Sequence, residues 1–253
     1  MPRRLIVHAG FHKTGTTSVQ RLLDRSRDAL DPLKVVLRAD MKALCEAARA
    51  FSVSRTTVDL GLIKYEAAIL AEQWRADTVL LSSEDLSGQM PGRHGLKRYD
   101  AAPVIAAAML EAWQEALPGI EVCFVFTSRD AAAWLASCYV QHLRATRIAI
   151  TADHYMREYS ASAELPAIIA RVQAAVPDAD VRNIALEGTE DKRLGPADAL
   201  LALAGVPADV RATIGPIGRA NPSMTRKRQA AFLALNRSHL SDKEVHARKL
   251  HMP

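Results

Sequence analysis

The chemistry in this chain is concentrated in one stretch, Gly10-Phe11-His12-Lys13-Thr14-Gly15-Thr16-Thr17-Ser18. Two glycines, one lysine, three threonines and a serine follow the short apolar run Leu5-Ile6-Val7. Val19, Leu22 and Leu23 then recur at helical spacing, with Arg21, Asp24 and Arg25 turned away from them. A strand, a tight loop and a helix start, in that order, set backbone N–H groups at the positive end of a helix dipole, where an anion is favoured. Glycine lets that backbone come close to a phosphate. Hydroxyls and one ammonium complete the cradle. The chemistry is the binding of a phosphate-like anion.

The spacing narrows the choice of anion. The nucleotide-binding P-loop is G-x-x-x-x-G-K-[ST]. Gly10 and Gly15 have that separation, but Thr16 stands where the lysine belongs, and the loop's lysine is Lys13. An ordinary ATP kinase would thereby lack its contact to the β- and γ-phosphates. The order Lys13-Thr14-Gly15-Thr16-Thr17 resembles instead the 5′-phosphosulfate-binding loop of sulfotransferases that use 3′-phosphoadenosine 5′-phosphosulfate (PAPS). The resemblance implies that Lys13 stabilises charge during transfer. It also implies that Thr14, Gly15, Thr16, Thr17 and Ser18 bind the donor.

A second segment resembles the same family. Residues 120–127 are mostly apolar, rich in β-branched and aromatic side chains, and read as a strand. It ends at Ser128-Arg129-Asp130, where Asp130 can cap a helix over 131–143. In sulfotransferases an arginine at the end of a strand and a serine eight positions on hold the 3′-phosphate. Arg129 and Ser137 have that spacing, and a guanidinium suits a phosphate because it makes bidentate, charge-assisted contacts. The proline that the family often carries after this arginine is absent; Ala131 follows Asp130.

Sulfuryl transfer needs a base for the proton of the attacking hydroxyl or amine. Glu84, in Ser82-Ser83-Glu84-Asp85 at the end of another predicted strand, is the first candidate. Some sulfotransferases use a glutamate there and others a histidine, so His12 beside the loop is the second. Glu84 and Asp85 read equally as carboxylates starting a helix. His8 is expected to pack at its strand end, and His94 to lie in a polar loop. No carboxylate pair stands beside the loop, so no metal site is expected. The implied donor is PAPS and the implied product 3′-phosphoadenosine 5′-phosphate (PAP). The acceptor would be a small molecule or a saccharide. Arg93, His94, Lys97, Arg98 and Tyr99 could line a cleft for it. The basic run Gly218–Arg228 could close over the nucleotide or form a solvated helix start capped by Ser223.

Composition sets the frame. The 253 residues are 49% hydrophobic and 24% charged, enough for a substantial core and unlike a disordered chain. A net charge of +5 fits an anionic ligand, but no concentrated basic face with interleaved aromatics marks a nucleic-acid binder. Cys45, Cys123 and Cys138 are widely spaced and form neither a metal motif nor a disulfide framework. No signal peptide is expected, and no apolar run approaches the ~20 residues that span a bilayer. The expectation is a cytoplasmic protein with no membrane span and no nucleic-acid partner.

The elements that must position these residues alternate, as in a parallel sheet with helices on both faces. Strands are predicted at 4–8, 35–37, 78–83, 120–127 and 181–186. Helices are predicted at 16–30, 40–50, 61–75, 101–117, 131–143, 152–176 (with a break at Pro166), 196–204 and 223–236. Residues 239–253 read as a frayed or packing tail. The expected fold is a three-layer α/β/α domain over 1–253 with a central parallel sheet, P-loop NTPase-like in the manner of sulfotransferases. Two other readings stand beside the sulfotransferase: a P-loop kinase of a small metabolite, and a degenerate nucleotide-binding member of the fold.

Overall fold

The computed structural model describes residues 1–189, 191–218 and 224–252. Five strands, β1 (Arg4–His8), β2 (Lys34–Leu37), β3 (Thr78–Ser82), β4 (Glu121–Ser128) and β5 (Asp180–Ala185), form one sheet in the order β2-β3-β1-β4-β5. Every pairing is parallel. The strands read as near-continuous apolar runs because both faces are covered. Alternate side chains divide between two cores. Leu5, Val7, Val79, Leu81, Phe124 and Phe126 face one, and Ile6, Val35, Leu80, Cys123, Val125 and Ile184 the other.

Helices α2 (Lys42–Ser54), α3 (Thr57–Glu72), α4 (Ala102–Ala116), α5 (Ala131–Ala145) and α7 (Leu165–Ala175) bury residues in the first core. Helices α1 (Thr16–Arg25) and α8 (Pro196–Leu203) bury theirs in the second. The result is the expected three layers. Adjacent strands β1 and β4 are therefore followed by helices on opposite faces, α1 and α5. Their loops diverge and open a crevice at the carboxyl edge of the sheet, where open α/β sheets bind ligands.

Several predicted boundaries shift for local reasons. The first helix stops at Arg25, and a 3₁₀ turn over Asp28–Leu30 follows. The break lets Leu30 return to the core while Arg27 donates to the Val35 carbonyl at 2.7 Å. The helix predicted over 152–176 with a break at Pro166 is α6 (Ala152–Glu158), a 3₁₀ turn and α7, so the break falls before Pro166. Pro166 lies in the first turn of α7, where its missing N–H costs nothing, so it begins a helix. The last predicted helix is α10 (Arg226–Arg237), after the short α9 (Ala208–Thr213). Thr225 caps α10, its hydroxyl accepting from the Arg228 N–H at 3.3 Å; Ser223 lies outside the described residues.

The tail contains α11 (Asp242–Leu250), which opens with a Ser241–Glu244 capping box and buries Val245. Arg147 fastens this end of the chain, donating to the Asn236 carbonyl at 3.0 Å and pairing with Asp242 at 2.6 Å. Among the described residues no helix is long and apolar enough to cross a membrane.

Candidate anion-binding active site

The crevice beside β1 and β4 holds a cleft of about 610 Å³. His12, Lys13, Gly15, Thr16, Thr17, Ser18, Glu84, Arg129 and Ser137 all line it. Segments separated by up to about half the chain thus converge on one cavity. Thr14 is the exception among the expected site residues. Its side chain is fully buried, donates to the Phe11 carbonyl at 2.6 Å and lies 2.6 Å from the Thr127 hydroxyl. It shapes the loop from behind.

The loop is held from three directions. The Thr14–Thr127 contact ties it to the end of β4. Trp134 of α5 donates its indole N–H to the His12 carbonyl at 2.8 Å, and Arg129 reaches the Lys13 carbonyl at 3.4 Å. Lys13 has φ 69°, a left-handed conformation that costs energy for any residue with a Cβ. Gly15 caps α1 with φ 92° and accepts the N–H groups of Ser18 and Val19 through its carbonyl. Gly10 is glycine for a steric reason. A Cβ there would stand 2.7 Å from Thr16 Cγ2 and 2.8 Å from Thr127 Oγ1.

The cleft is cationic. Lys13, Arg93, Arg129 and Lys192 line it, with Glu84 as the lone carboxylate among the described lining residues. Burial, aided by the nearby Arg144 and Arg129, pulls the Lys13 ammonium below its ordinary pKa. Lys13 has no carboxylate partner among the described residues, so an anion entering the cleft would relieve this cost.

Glu84 begins the 3₁₀ turn Glu84–Ser87 at the end of β3, where Ser83 is the cap. Its carboxylate accepts from the Gln20 side chain of α1 at 2.8 Å and is half-buried. His12 is differently placed. The Tyr99 hydroxyl, which accepts the His12 backbone N–H at 3.2 Å, lies 3.0 Å from Nδ1, while Nε2 faces Asp85 at 3.6 Å. Burial alone would raise the Asp85 carboxyl, but His12 and Arg38, which donates to it at 2.5 Å, hold it below its ordinary value. Both ring nitrogens of His12 are thereby engaged. His8 packs as expected, fully buried with Nδ1 2.8 Å from Ser82 Oγ, and burial pushes its pKa down to about 4.

Other expectations separate. Of the 93–99 loop only Arg93 reaches the cleft. Lys97 pairs with Glu158 at 2.6 Å and covers the Tyr159 ring, His94 is exposed, and Tyr99 is in the core. Cys138, beside Ser137, is fully buried. In the C-terminal basic run, Gly218 lines the cleft and Arg228 packs over Phe232, while Arg219–Ser223 lie outside the described residues.

The cleft also has a wall that motif reading missed: Leu186, Thr189 and Lys192 after β5, with Pro196 and Ile217. The signal available was position, since these residues follow the last strand at its carboxyl end. Gln141 was legible in principle, four residues beyond Ser137 on the same face of α5.

Among solved structures, the chain matches the crystal structure of a sulfotransferase from Alicyclobacillus acidocaldarius. The match covers 100% of this chain and 97% of that one, with a TM-score of 0.51 and 17% identity. The fold is sulfotransferase-like. A second match, to a chain of the PezAT chromosomal toxin-antitoxin system of Streptococcus pneumoniae, covers 98% of this chain and 87% of the other at a TM-score of 0.35 and 9% identity, too low to bear on the fold. No protein-family model matches, and no curated protein matches in sequence. Within the sulfotransferase-like frame, the loop after the first strand and the arginine after the fourth are neighbours across one sheet edge, because β1 and β4 are paired.

Proposed function

We propose that this chain is a PAPS-dependent sulfotransferase acting on a hydroxyl or amine of a small molecule or saccharide. The observation that supports this most is the convergence of Lys13, the Gly15–Ser18 helix start, Arg129 and Ser137 on one cationic cleft. The donor set fits the spent nucleotide, which carries anionic groups at two separate positions. Lys13 and the N–H groups at the start of α1 would hold the 5′ group, and Arg129 with Ser137 the 3′-phosphate. PAPS, when bound, supplies the sulfuryl group.

The chain's own residues have three tasks in this reading. The loop orients the donor. Lys13 and the helix start carry the negative charge left behind on the phosphate, as preorganised donors do. Glu84 accepts the proton of the acceptor at its carboxylate. His12, with both ring nitrogens occupied, positions Asp85 and the loop. No metal is needed in this scheme, because no triphosphate must be neutralised. Incubation with sulfur-labelled PAPS and a pool of small-molecule extracts tests the proposal. Label should move to an extract component, and Arg129→Ala should stop it. Transfer of the γ-phosphate from Mg-ATP, with PAPS inert, would overturn it in favour of a kinase.

A further inference from the structure

Arg93 is the cation in the cleft for which the donor has no use. The donor's anions are met from the ends of β1 and β4, by the loop and by Arg129. Lys192 belongs to the wall beyond β5. Arg93 enters from the opposite side, after β3, together with Glu84 and Met90. Among the described residues its side chain makes no ion pair and no hydrogen bond, and its Nε is buried without a partner. A buried guanidinium N–H without an acceptor is costly, and an anion in the cleft could supply one.

The chain holds Arg93 in place with some care. Its turn is closed by the Gly92 N–H on the Leu96 carbonyl at 2.8 Å and by the Leu96 N–H on the Arg93 carbonyl at 2.9 Å. Gly92, with φ 91°, lies flush on the His142 ring; a Cβ there would stand 2.4 Å from Cε1. His142 is itself fixed by the Tyr155 hydroxyl, 2.9 Å from Nδ1. An unpaired cation on a rigid turn is preorganised for binding, since little freedom remains to be lost.

We infer that Arg93 is the acceptor subsite, in the cleft that Gln141 also lines, and that it reads an anionic group of the acceptor: a carboxylate, a phosphate or a sulfate ester on a molecule that also carries the receiving hydroxyl or amine. This rests on the sulfotransferase reading. A guanidinium engages any of these groups in bidentate fashion, so the charge is specified more strictly than the element that carries it.

The test uses acceptor pairs that differ only in the anion, such as glucose against glucuronate, glucosamine against its 6-phosphate, and a hydroxybenzyl alcohol against the hydroxybenzoate. Each is measured by calorimetry on the PAP-loaded protein and by transfer of label from PAPS. At least one anionic member should bind and be sulfated with a kcat/KM roughly tenfold to a hundredfold above its neutral partner, the range for a charge-assisted contact. Arg93→Gln should collapse that ratio chiefly through KM, and Arg93→Lys should restore part of it. PAP affinity should stay within about threefold in both variants, as for sites without shared partners. The inference is overturned if no anionic member binds, if neutral partners serve equally, if the ratio survives in Arg93→Gln, or if Arg93→Gln loses PAP as Arg129→Ala does. Failure of wild-type protein to bind PAP at all would instead sink the sulfotransferase reading.

Discussion

The hydroxyls of Thr14 and Thr127 lie 2.6 Å apart, joining the anion loop to the end of β4 two residues before Arg129. Thr14 donates to the Phe11 carbonyl, so Thr127 supplies the proton between them. This buried contact between segments 113 residues apart ties the two halves of the cleft together, beside the bonds of Trp134 and Arg129 to the loop. Thr127→Val should keep the shape and leave a lone pair of Thr14 unmet. The expected cost is about 1 kcal/mol of stability and a several-fold loss of PAP affinity, read by thermal denaturation and calorimetry. Unchanged affinity would mean that the two halves are aligned by other contacts.

Lys13 should trade stability for function. It is a partly buried cation with no carboxylate partner among the described residues, and burial pulls its pKa down. Lys13→Met should raise the melting temperature of the free protein, because a desolvated charge is removed. The same variant should lose turnover by at least about a hundredfold, the scale of one charge-stabilising donor. A lower melting temperature together with lost turnover would assign Lys13 a structural role.

The base assignment separates Glu84 from His12. Glu84→Gln keeps the size of the side chain and should lower kcat by roughly 10²–10⁴ with PAP binding nearly intact. His12→Asn should affect PAP affinity and kcat together, since His12 carries the loop's contacts to Tyr99 and Asp85. A rate profile that keeps its acidic limb in Glu84→Gln and loses it in His12→Asn would reverse the two roles.

Two buried histidines predict the pH dependence of stability. Burial pushes His8 and His142 from an ordinary 6.5 down to about 4, and Arg93 and His12 add to the effect at His142. At neutral pH both are uncharged in the folded and unfolded chain and cost nothing. As the pH falls from 6.5 towards 4, the unfolded chain takes up protons that the folded chain refuses. Stability should then drop by up to about 1.4 kcal/mol per pH unit for each histidine. Urea midpoints at pH 7 and pH 5 measure this, and His142→Gln should shrink the difference. A midpoint that does not fall at pH 5 would contradict the burial of these rings.

What could be read from the sequence was local. The loop 10–18, the Arg129–Ser137 spacing, the Asp130 cap and the end of β3 at Glu84 are each written within a dozen residues, and the parallel sheet follows from their alternation. Asp130 accepts from the Ala133 N–H at 2.9 Å as its position implied. The inward turn of Thr14 was not legible, because a hydroxyl flanking an anion loop suits a ligand and a buried threonine partner equally well. Nor was the wall of Leu186, Thr189 and Lys192, whose place in the cleft depends on β5 pairing with β4 across the sheet. Arg93 stood among several basic residues, and only packing distinguishes it. Lys97 and Arg98 found carboxylates at 2.6 and 3.7 Å, whereas Arg93 found none.

Every role proposed for the cleft depends on its taking the PAPS nucleotide. Calorimetric titration of PAP without metal, beside Mg-ATP, on wild type and Arg129→Ala tests it most directly. PAP should bind at micromolar concentration, Mg-ATP should not bind comparably, and the variant should lose PAP binding by about a hundredfold, as expected for a phosphate's bidentate partner. Tight Mg-ATP binding with indifference to PAP would contradict it.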